Sequence, residues 1–243
     1  MSWAQDMVAL VTGAGGEAGR GHALRLAAAG MDIIAVDGGT AGAPGAGLDE
    51  TARMVRALGR RVAAAPADVR DHGQLAAAVN RAAGELGRLD VVVAAAGGLG
   101  RQAAAGELTE AAWQDMIDVN LTGAWLTCKV AVPHIIAGGR GGSVVLAGSV
   151  AAVKPYPGLA HYVAAEHAIV GLARTLAQEL GADGIRVNVL LPDGPAAGES
   201  REPLLPSPAR PRDASEALLF LISDVARHIT GVALPVDAGV LAR

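Results

Sequence analysis

The sequence predicts an α/β fold in which a doubly wound parallel sheet of seven strands carries helices on both faces. Short apolar runs alternate along the chain with longer segments of helical periodicity, as in repeated β-α-β units. The runs are nearly continuous, which is typical of strands buried on both faces. Because 243 residues are commonly folded as one such unit, we expect a single domain over residues 1–243.

The elements follow from these runs and from the residues that flank them. Strands are predicted at residues 7–11, 32–36, 61–65, 89–94, 143–147, 185–190 and 232–235. Helices are predicted at residues 17–29, 48–59, 71–86, 111–137, 159–181 and 213–226. The predicted helix caps are Asp71, Thr109 and Asp213 at N-termini, and Gly30, Gly59, Gly87 and Gly138 at C-termini. Residues 38–47, rich in glycine, and residues 192–212, with six of the chain's 12 prolines, are predicted loops.

Composition limits the classes of partner. The chain is 51% hydrophobic but only 2% aromatic, so its core must be built mainly from Ala, Val, Leu and Ile at close range. The formal net charge is -4 and the basic residues are scattered, so the sequence does not predict a basic patch that would bind nucleic acid or an anionic membrane. We therefore expect a small-molecule partner.

Cysteine and histidine usage predicts no metal site. Cys128 is the only cysteine, which excludes an intramolecular disulfide and a thiolate cluster. His161 and His167 are six residues apart, a poor spacing for a metal pair, and are predicted surface or packing residues. With no leader-like N-terminus and no long apolar span, we expect a cytoplasmic protein.

A glycine-rich turn follows the first strand. It contains Gly13, Gly15 and Gly19 and leads into a helix whose N-terminal amides could hold a pyrophosphate. Such a turn also arises from tight packing between a strand and a helix, so alone it leaves both interpretations open.

Polar residues recur in a fixed order after the later strands. Asp37 ends the second strand, Asp68 and Val69 follow the third, and Gly97 closes an Ala-Ala-Ala-Gly stretch after the fourth. The order continues with Asn120 in the long helix, Ser149 after the fifth strand and Tyr162, which comes 13 residues later.

In order and spacing this set resembles the short-chain dehydrogenase/reductase family, whose fold is Rossmann-like, over nearly the whole chain. The stretches 19–23, 161–165 and 230–239 are similar to the actinobacterial branch that includes carveol dehydrogenase and mycofactocin-linked dehydrogenases. That resemblance implies oxidation or reduction of small alcohols and ketones with NAD, and a homo-oligomer, either dimer or tetramer. Trp113, Trp125 and Met116 on the long helix are predicted core or subunit-interface residues.

The resemblance also implies roles for individual residues. Tyr162 would exchange a proton with the substrate oxygen, Ser149 would hydrogen-bond that oxygen, and Asn120 would help order a proton-relay water. Asp37 would bind the adenosine ribose and favour NAD over NADP, while Asp68 and Val69 would meet the adenine.

Four positions depart from the family pattern. Glu166 stands where the family has a lysine one helical turn after Tyr162, and a carboxylate there disfavours the phenolate. Glu17 replaces a glycine of the phosphate turn, and Ala95 replaces an asparagine. The Pro-Gly pair usual after the sixth strand is Pro192-Asp193, and the following segment looks shortened where a substrate lid forms.

These departures fall on the cofactor side of the cleft, which predicts no cofactor or weakly bound NAD. The first hypothesis is therefore a non-redox enzyme, an isomerase, dehydratase or cyclase, in which Tyr162 and Ser149 donate hydrogen bonds and Glu166 is the base. The second is an NAD-dependent alcohol dehydrogenase or ketone reductase in which Arg20 offsets Glu17. The third is a catalytically silent subunit that pairs with an active relative.

Overall fold

The strands form one parallel sheet of seven members, which confirms the predicted fold class. The computed structural model describes residues 2–39, 46–193 and 203–242. The strands are β1 Val8–Thr12, β2 Asp32–Asp37, β3 Val62–Pro66, β4 Val91–Ala94, β5 Gly142–Ala147, β6 Ile185–Pro192 and β7 Ala233–Val236. Their order across the sheet is β3-β2-β1-β4-β5-β6-β7.

Helices cover both faces of this sheet. They are α1 Glu17–Ala29, α2 Ala46–Ala57, α3 His72–Leu86, α4 Glu110–Ile117, α5 Gly123–Gly138, α6 Ala160–Leu180 and α7 Pro211–Ile222. One apolar cluster joins the sheet to α1, α2 and α7, and a second joins it to α3, α5 and α6. No helix in the described residues is long and apolar enough to span a bilayer.

The switch point of the sheet lies between β1 and β4. The chain runs outward from β1 through β2 to β3 and then returns to place β4 on the other side of β1. Thr12 and Ala94 are paired at the carboxyl ends of these two strands. Parallel sheets bind ligands in the crevice above such a point, so the topology predicts a ligand site formed by the loops after β1, β4 and β5.

Local capping explains several helix ends. Asp71 accepts a hydrogen bond from the Gln74 amide at 3.0 Å, and Thr109 accepts one from the Ala112 amide at 3.2 Å. Gly30 and Gly87 end α1 and α3 in the left-handed conformation, as the sequence predicts.

Other predicted boundaries were wrong in detail. Asp213 is the third residue of α7 and not its N-cap, because Pro211 already begins the helix and the Arg210 amide donates to the Asp213 carboxylate. Gly138 is the last residue of α5, and Gly139 takes the left-handed cap conformation. α2 begins before the predicted residue 48, and α7 ends at Ile222, ahead of a separate 3₁₀ turn at Asp224–Ala226. Of the two predicted loops, residues 40–45 and 194–202 lie outside the described part of the chain.

The predicted helix at 111–137 is interrupted by a π-helical turn. Residues Asp118–Thr122 follow an i→i+5 pattern between α4 and α5. Such turns insert one residue into a helix and are frequent at functional sites. Asn120 sits at the centre of this turn and is buried.

The predictions for single residues on the helices divide between core and surface. Cys128 is buried in the core, as is Met116. Trp113 and Trp125 are not core residues, since they are 41% and 43% exposed. Of the two histidines, His161 is fully buried and His167 is exposed.

Candidate active site

The predicted catalytic residues line one cleft above the switch point. Its volume is about 260 Å³, and it lies between the loops after β4, β5 and β6 and one end of α6. Its lining includes the predicted site residues Gly97, Asn120, Ser149, Tyr162 and Glu166. The structure therefore brings together residues that lie up to 69 positions apart, counted from 97 to 166.

Ser149 and Tyr162 form the polar pair of the cleft. Ser149 follows β5 and caps a short 3₁₀ turn, where its hydroxyl accepts a hydrogen bond from the Ala151 amide at 3.2 Å. Its side chain lies beside that of Tyr162, in the first turn of α6, and both line the cleft. Burial raises the pKa of the Tyr162 phenol, and the Glu166 charge raises it further, against a smaller lowering by Ser149. Tyr162 is therefore a neutral hydrogen-bond donor at neutral pH.

Glu166 lies one helical turn beyond Tyr162, with its side chain in the cleft and only 5% exposed. Burial raises the pKa of its carboxyl group from 4.5 to about 8, opposed by a hydrogen bond with the Ser149 backbone. One of its oxygens, Oε2, has no hydrogen-bond partner within the described residues. Buried polar atoms in proteins are nearly always paired, so this oxygen is positioned for a ligand.

Asn120 holds the loop after β4. Its side-chain amide donates to the Gly98 carbonyl at 2.9 Å, and its Oδ1 accepts from the Gly98 amide at 3.0 Å. A side chain at Gly97 would come within 3.1 Å of the same Oδ1. The π turn thus directs Asn120 onto the cleft wall, where its side chain fixes the loop backbone.

The glycine turn after β1 is held by close backbone contacts. Gly13 has φ +68, and a Cβ there would lie 2.6 Å from the Ala95 carbonyl oxygen. A Cβ on Gly19 would lie 2.2 Å from the Gly13 carbonyl oxygen. The packing interpretation of these glycines therefore applies whether or not a ligand binds.

Asp37 reaches across to this turn. Its carboxylate accepts hydrogen bonds from the Gly15 amide at 2.9 Å and from the Gly39 amide at 2.6 Å. The structure thus brings Asp37 and Gly15 together at the carboxyl ends of β1 and β2, where a ribose next to a phosphate turn would lie.

The structure separates Asp68 and Val69 from the catalytic cleft. Asp68 forms an ion pair of 2.7 Å with Arg70, which lowers the pKa of its carboxyl group. Val69 is buried, and its methyl group would be 2.6 Å from a Cβ on Gly123. Its side chain therefore packs against α5.

The departures from the family pattern have different structural consequences. Glu17 begins α1 with an exposed side chain, where a negative charge is favoured by the helix dipole. Arg20, which the second hypothesis expects to offset the Glu17 charge, contacts Glu50 at 3.3 Å and the Gly15 and Gly47 carbonyl oxygens. Beside Ala95, the Thr12 hydroxyl accepts from the Ala95 amide at 3.2 Å, so the β1 to β4 contact does not need the family's asparagine.

Sequence reasoning missed a titratable residue of the cleft. His22 of α1 lines it and is buried, with its Nδ1 2.9 Å from the Ser215 hydroxyl. Burial lowers the pKa of His22 to about 4, so its ring is neutral. Its position one turn after Gly19 on α1 was the available signal, because that turn faces the switch point.

Two relatives named as dehydrogenases cover nearly the whole chain. The (-)-trans-carveol dehydrogenase of Rhodococcus erythropolis is 43% identical over 277 aligned residues, covering 98% of this chain and 99% of that protein. The cis-4-hydroxycyclohexanecarboxylate dehydrogenase of Sinomonas cyclohexanicum is 35% identical over 247 residues, covering 96% of each.

A solved structure gives the same picture. The crystal structure of carveol dehydrogenase from Mycobacterium avium in complex with NAD matches with a TM-score of 0.91 at 40% identity. The match covers 98% of this chain and 99% of that one.

These relatives overturn the non-redox hypothesis. Proteins matched over their whole length are named as dehydrogenases, and the solved neighbour holds NAD. The expectation of an isomerase, dehydratase or cyclase was wrong because it took the altered cofactor-side positions as loss of the redox reaction. The expectation that NAD is held weakly stays a prediction.

The family assignment itself is confirmed. Residues 7–202 match the short chain dehydrogenase family, which is well over half of the 243 residues. Together with relatives above 30% identity across the chain, this match shows that the protein belongs to the short-chain dehydrogenase family.

Proposed function

We propose that this protein is an NAD-dependent oxidoreductase that interconverts a small, largely apolar alcohol and its ketone. The observation that carries the proposal is that the hydroxyl side chains of Ser149 and Tyr162 line the same cleft beside the glycine turn. The whole-length relatives named as dehydrogenases support the same reaction class.

The residues present fit a nicotinamide dinucleotide at both ends. Asp37 offers a carboxylate at the glycine turn, suited to the two hydroxyls of the adenosine ribose and unfavourable to a 2′-phosphate. At the other end the buried Glu166 Oε2 has no hydrogen-bond partner among the described residues and can pair with a hydroxyl of the nicotinamide ribose. When bound, the dinucleotide supplies a hydride acceptor or donor.

Tyr162 and Ser149 supply the proton chemistry. Because its pKa is raised, Tyr162 holds its proton at neutral pH and can donate it to a ketone oxygen. The Ser149 hydroxyl can hydrogen-bond to the same oxygen, which favours the developing alkoxide. Removal of a proton from an alcohol needs the phenolate, which the raised pKa of Tyr162 disfavours, so the proton-donating form is the one populated at neutral pH.

The first test is a calorimetric titration with NAD⁺, NADH, NADP⁺ and NADPH. We expect binding of the NAD pair, with Asp37→Ala weakening it by at least ~10-fold, because charge-assisted hydrogen bonds are lost. Asp49→Ala, which removes an exposed acid from α2, is the control and should bind as the wild type does. Absence of NAD⁺ and NADH binding at millimolar concentration would contradict the proposal.

The second test is ketone reduction with NADH on a panel of small apolar ketones. Tyr162→Phe should lower kcat by at least ~100-fold while leaving NADH affinity unchanged, because only the proton donor is removed. If wild-type protein binds NADH but reduces no member of the panel, the silent-subunit hypothesis gains support.

A homo-oligomer is part of the same proposal. Trp113, Trp125 and Ile136 are large apolar side chains exposed along α4 and α5. Trp125 and Ile136 are 11 residues apart on α5, close to three helical turns, and therefore lie on one face. Exposed apolar surface of this kind supports contact with a second copy of the chain.

A further inference from the structure

The cleft contains an unusual set of charges. Of the residues that line it, Glu166 and Asp193 carry carboxylates, and no lysine or arginine is among the described lining residues. The carboxyl group of Glu166 is buried against the β5–β6 edge, where Oε2 would meet a Cβ on Gly148 at 3.0 Å. The cleft therefore offers acidic side chains to a ligand, and none of its described lining residues is a lysine or an arginine.

The other titratable groups around Glu166 do not supply a cation. Tyr162 on the same helix is a neutral phenol with a raised pKa, and Tyr156 beside it raises that pKa slightly. His22 from α1 is neutral at physiological pH because burial lowers its pKa to about 4. Asp193, after β6, adds a second acid. Within the described residues Glu166 Oε2 has no partner, and a positive ligand group would supply one.

We propose that this cleft distinguishes the two oxidation states of the nicotinamide. The Glu166 carboxylate is the counter-charge of the oxidised, positive ring, and Glu166 loses its proton when NAD⁺ binds. The inference rests on the proposed function. The nicotinamide ring is positive in NAD⁺ and neutral in NADH, so an ionised carboxylate stabilises only the first.

The proton balance follows from burial. Burial holds the pKa of Glu166 at about 8 in the free protein, so near neutral pH the carboxyl group is mostly protonated. An opposite charge nearby lowers a carboxyl pKa by one to three units, so the proton leaves to solvent as NAD⁺ binds. By linkage, NAD⁺ affinity then increases with pH until the free protein is itself ionised, and it levels off above about 8.

The experiment is calorimetry of NAD⁺ and NADH binding at pH 6.0 and 9.0. We expect NAD⁺ affinity to increase by at least ~10-fold between these values, with NADH affinity changing less than ~3-fold. At pH 7, titrations in two buffers of different ionisation enthalpy should show proton release with NAD⁺ only. This measurement uses the wild-type protein and does not depend on how a variant folds.

Two variants test whether Glu166 causes the pH dependence of NAD⁺ affinity. Glu166→Gln should bind both dinucleotides with a ratio that does not vary with pH, whereas Asp193→Asn should keep the wild-type dependence. Binding of both dinucleotides with a pH-independent ratio in the wild type would overturn this inference alone. Retention of the pH dependence in Glu166→Gln would also overturn it. If neither dinucleotide binds at any pH, the proposed function falls and this inference with it.

Discussion

At the scale of single residues, the most consequential feature is the buried carboxyl group of Glu166. Desolvation opposes its ionisation, and the same group raises the pKa of Tyr162. One position therefore affects folding stability and the protonation of Tyr162, and in the inference above it also distinguishes NAD⁺ from NADH.

Folding stability should decrease with pH because of this residue. In the unfolded chain Glu166 ionises near pH 4.5, whereas in the folded protein its pKa is about 8. Between these values the folded state holds the extra proton, so stability is lost as pH rises through that window. Glu166→Gln should therefore be more stable than the wild type at pH 7, by up to about 3 kcal/mol.

Urea unfolding at pH 5 and pH 8 measures this difference. The gap between Glu166→Gln and the wild type should be small at pH 5 and large at pH 8. An equal gap at both values would show that the carboxyl group is ionised in the folded protein throughout.

Replacing Glu166 by lysine should increase the rate of alcohol oxidation. A cation one turn from Tyr162 favours the phenolate, whereas the native carboxylate opposes it. We expect Glu166→Lys to increase kcat for alcohol oxidation at pH 7 by at least ~10-fold, with Glu166→Gln intermediate. Rate profiles from pH 6 to 10 check this, and a profile that does not move would contradict it.

At the scale of elements, the glycine turn and the π turn place the site. The turn after β1 is fixed by contacts of Gly13 and Gly19 with backbone, and the π turn aims Asn120 at the loop after β4. Both are backbone features that bring side chains of distant segments to one cleft.

Two glycine-to-alanine substitutions distinguish the cost of a close backbone contact from the gain in helix propensity. Gly19→Ala should destabilise the protein by more than about 2 kcal/mol, because its Cβ would lie 2.2 Å from the Gly13 carbonyl oxygen. Gly84→Ala is the matched control within α3, where the Cβ meets nothing within 4 Å, and it should stabilise by about 0.5–1 kcal/mol. Thermal unfolding measures both, and equal effects would contradict the close contact at Gly19.

At the scale of the whole molecule, we expect the exposed face of α4 and α5 to be the surface through which copies of the chain assemble. Trp125 also lies under the Lys129 ammonium, 4.9 Å from the ring centre, which holds the ring in a defined orientation. A contact surface between two copies is the expected use of such a face.

Trp125→Glu should reduce the oligomer to a smaller species without unfolding it. A charge placed in an apolar interface is desolvated without a partner, which disfavours association. Leu58→Glu, at an exposed apolar position beyond α2, is the control and should leave the mass unchanged. Light scattering after size exclusion gives both masses, and an unchanged mass for Trp125→Glu would place the interface elsewhere.

Much of the architecture could be predicted because its signals are local. The strands appear as apolar runs, and Asp71, Thr109, Gly30 and Gly87 mark helix ends by their own hydrogen-bonding and conformational preferences. The π turn left no such signal, because residues 111–137 keep a helical pattern through it. The non-redox hypothesis failed for a related reason. The effect of a substitution on ligand binding depends on the residues that surround it in the fold, which the sequence does not show.

By itself the sequence determined the seven-stranded parallel fold, the family resemblance and the order of the polar residues along the chain, because periodicity and motif spacing are properties of the chain alone. Only the tertiary structure decided that Glu166 is buried with one oxygen unpaired by any described residue, that no described lining residue supplies a cation, and that His22 joins the cleft. Burial and the nearness of charges depend on which distant segments the fold packs together, and these two quantities set the pKa of each group.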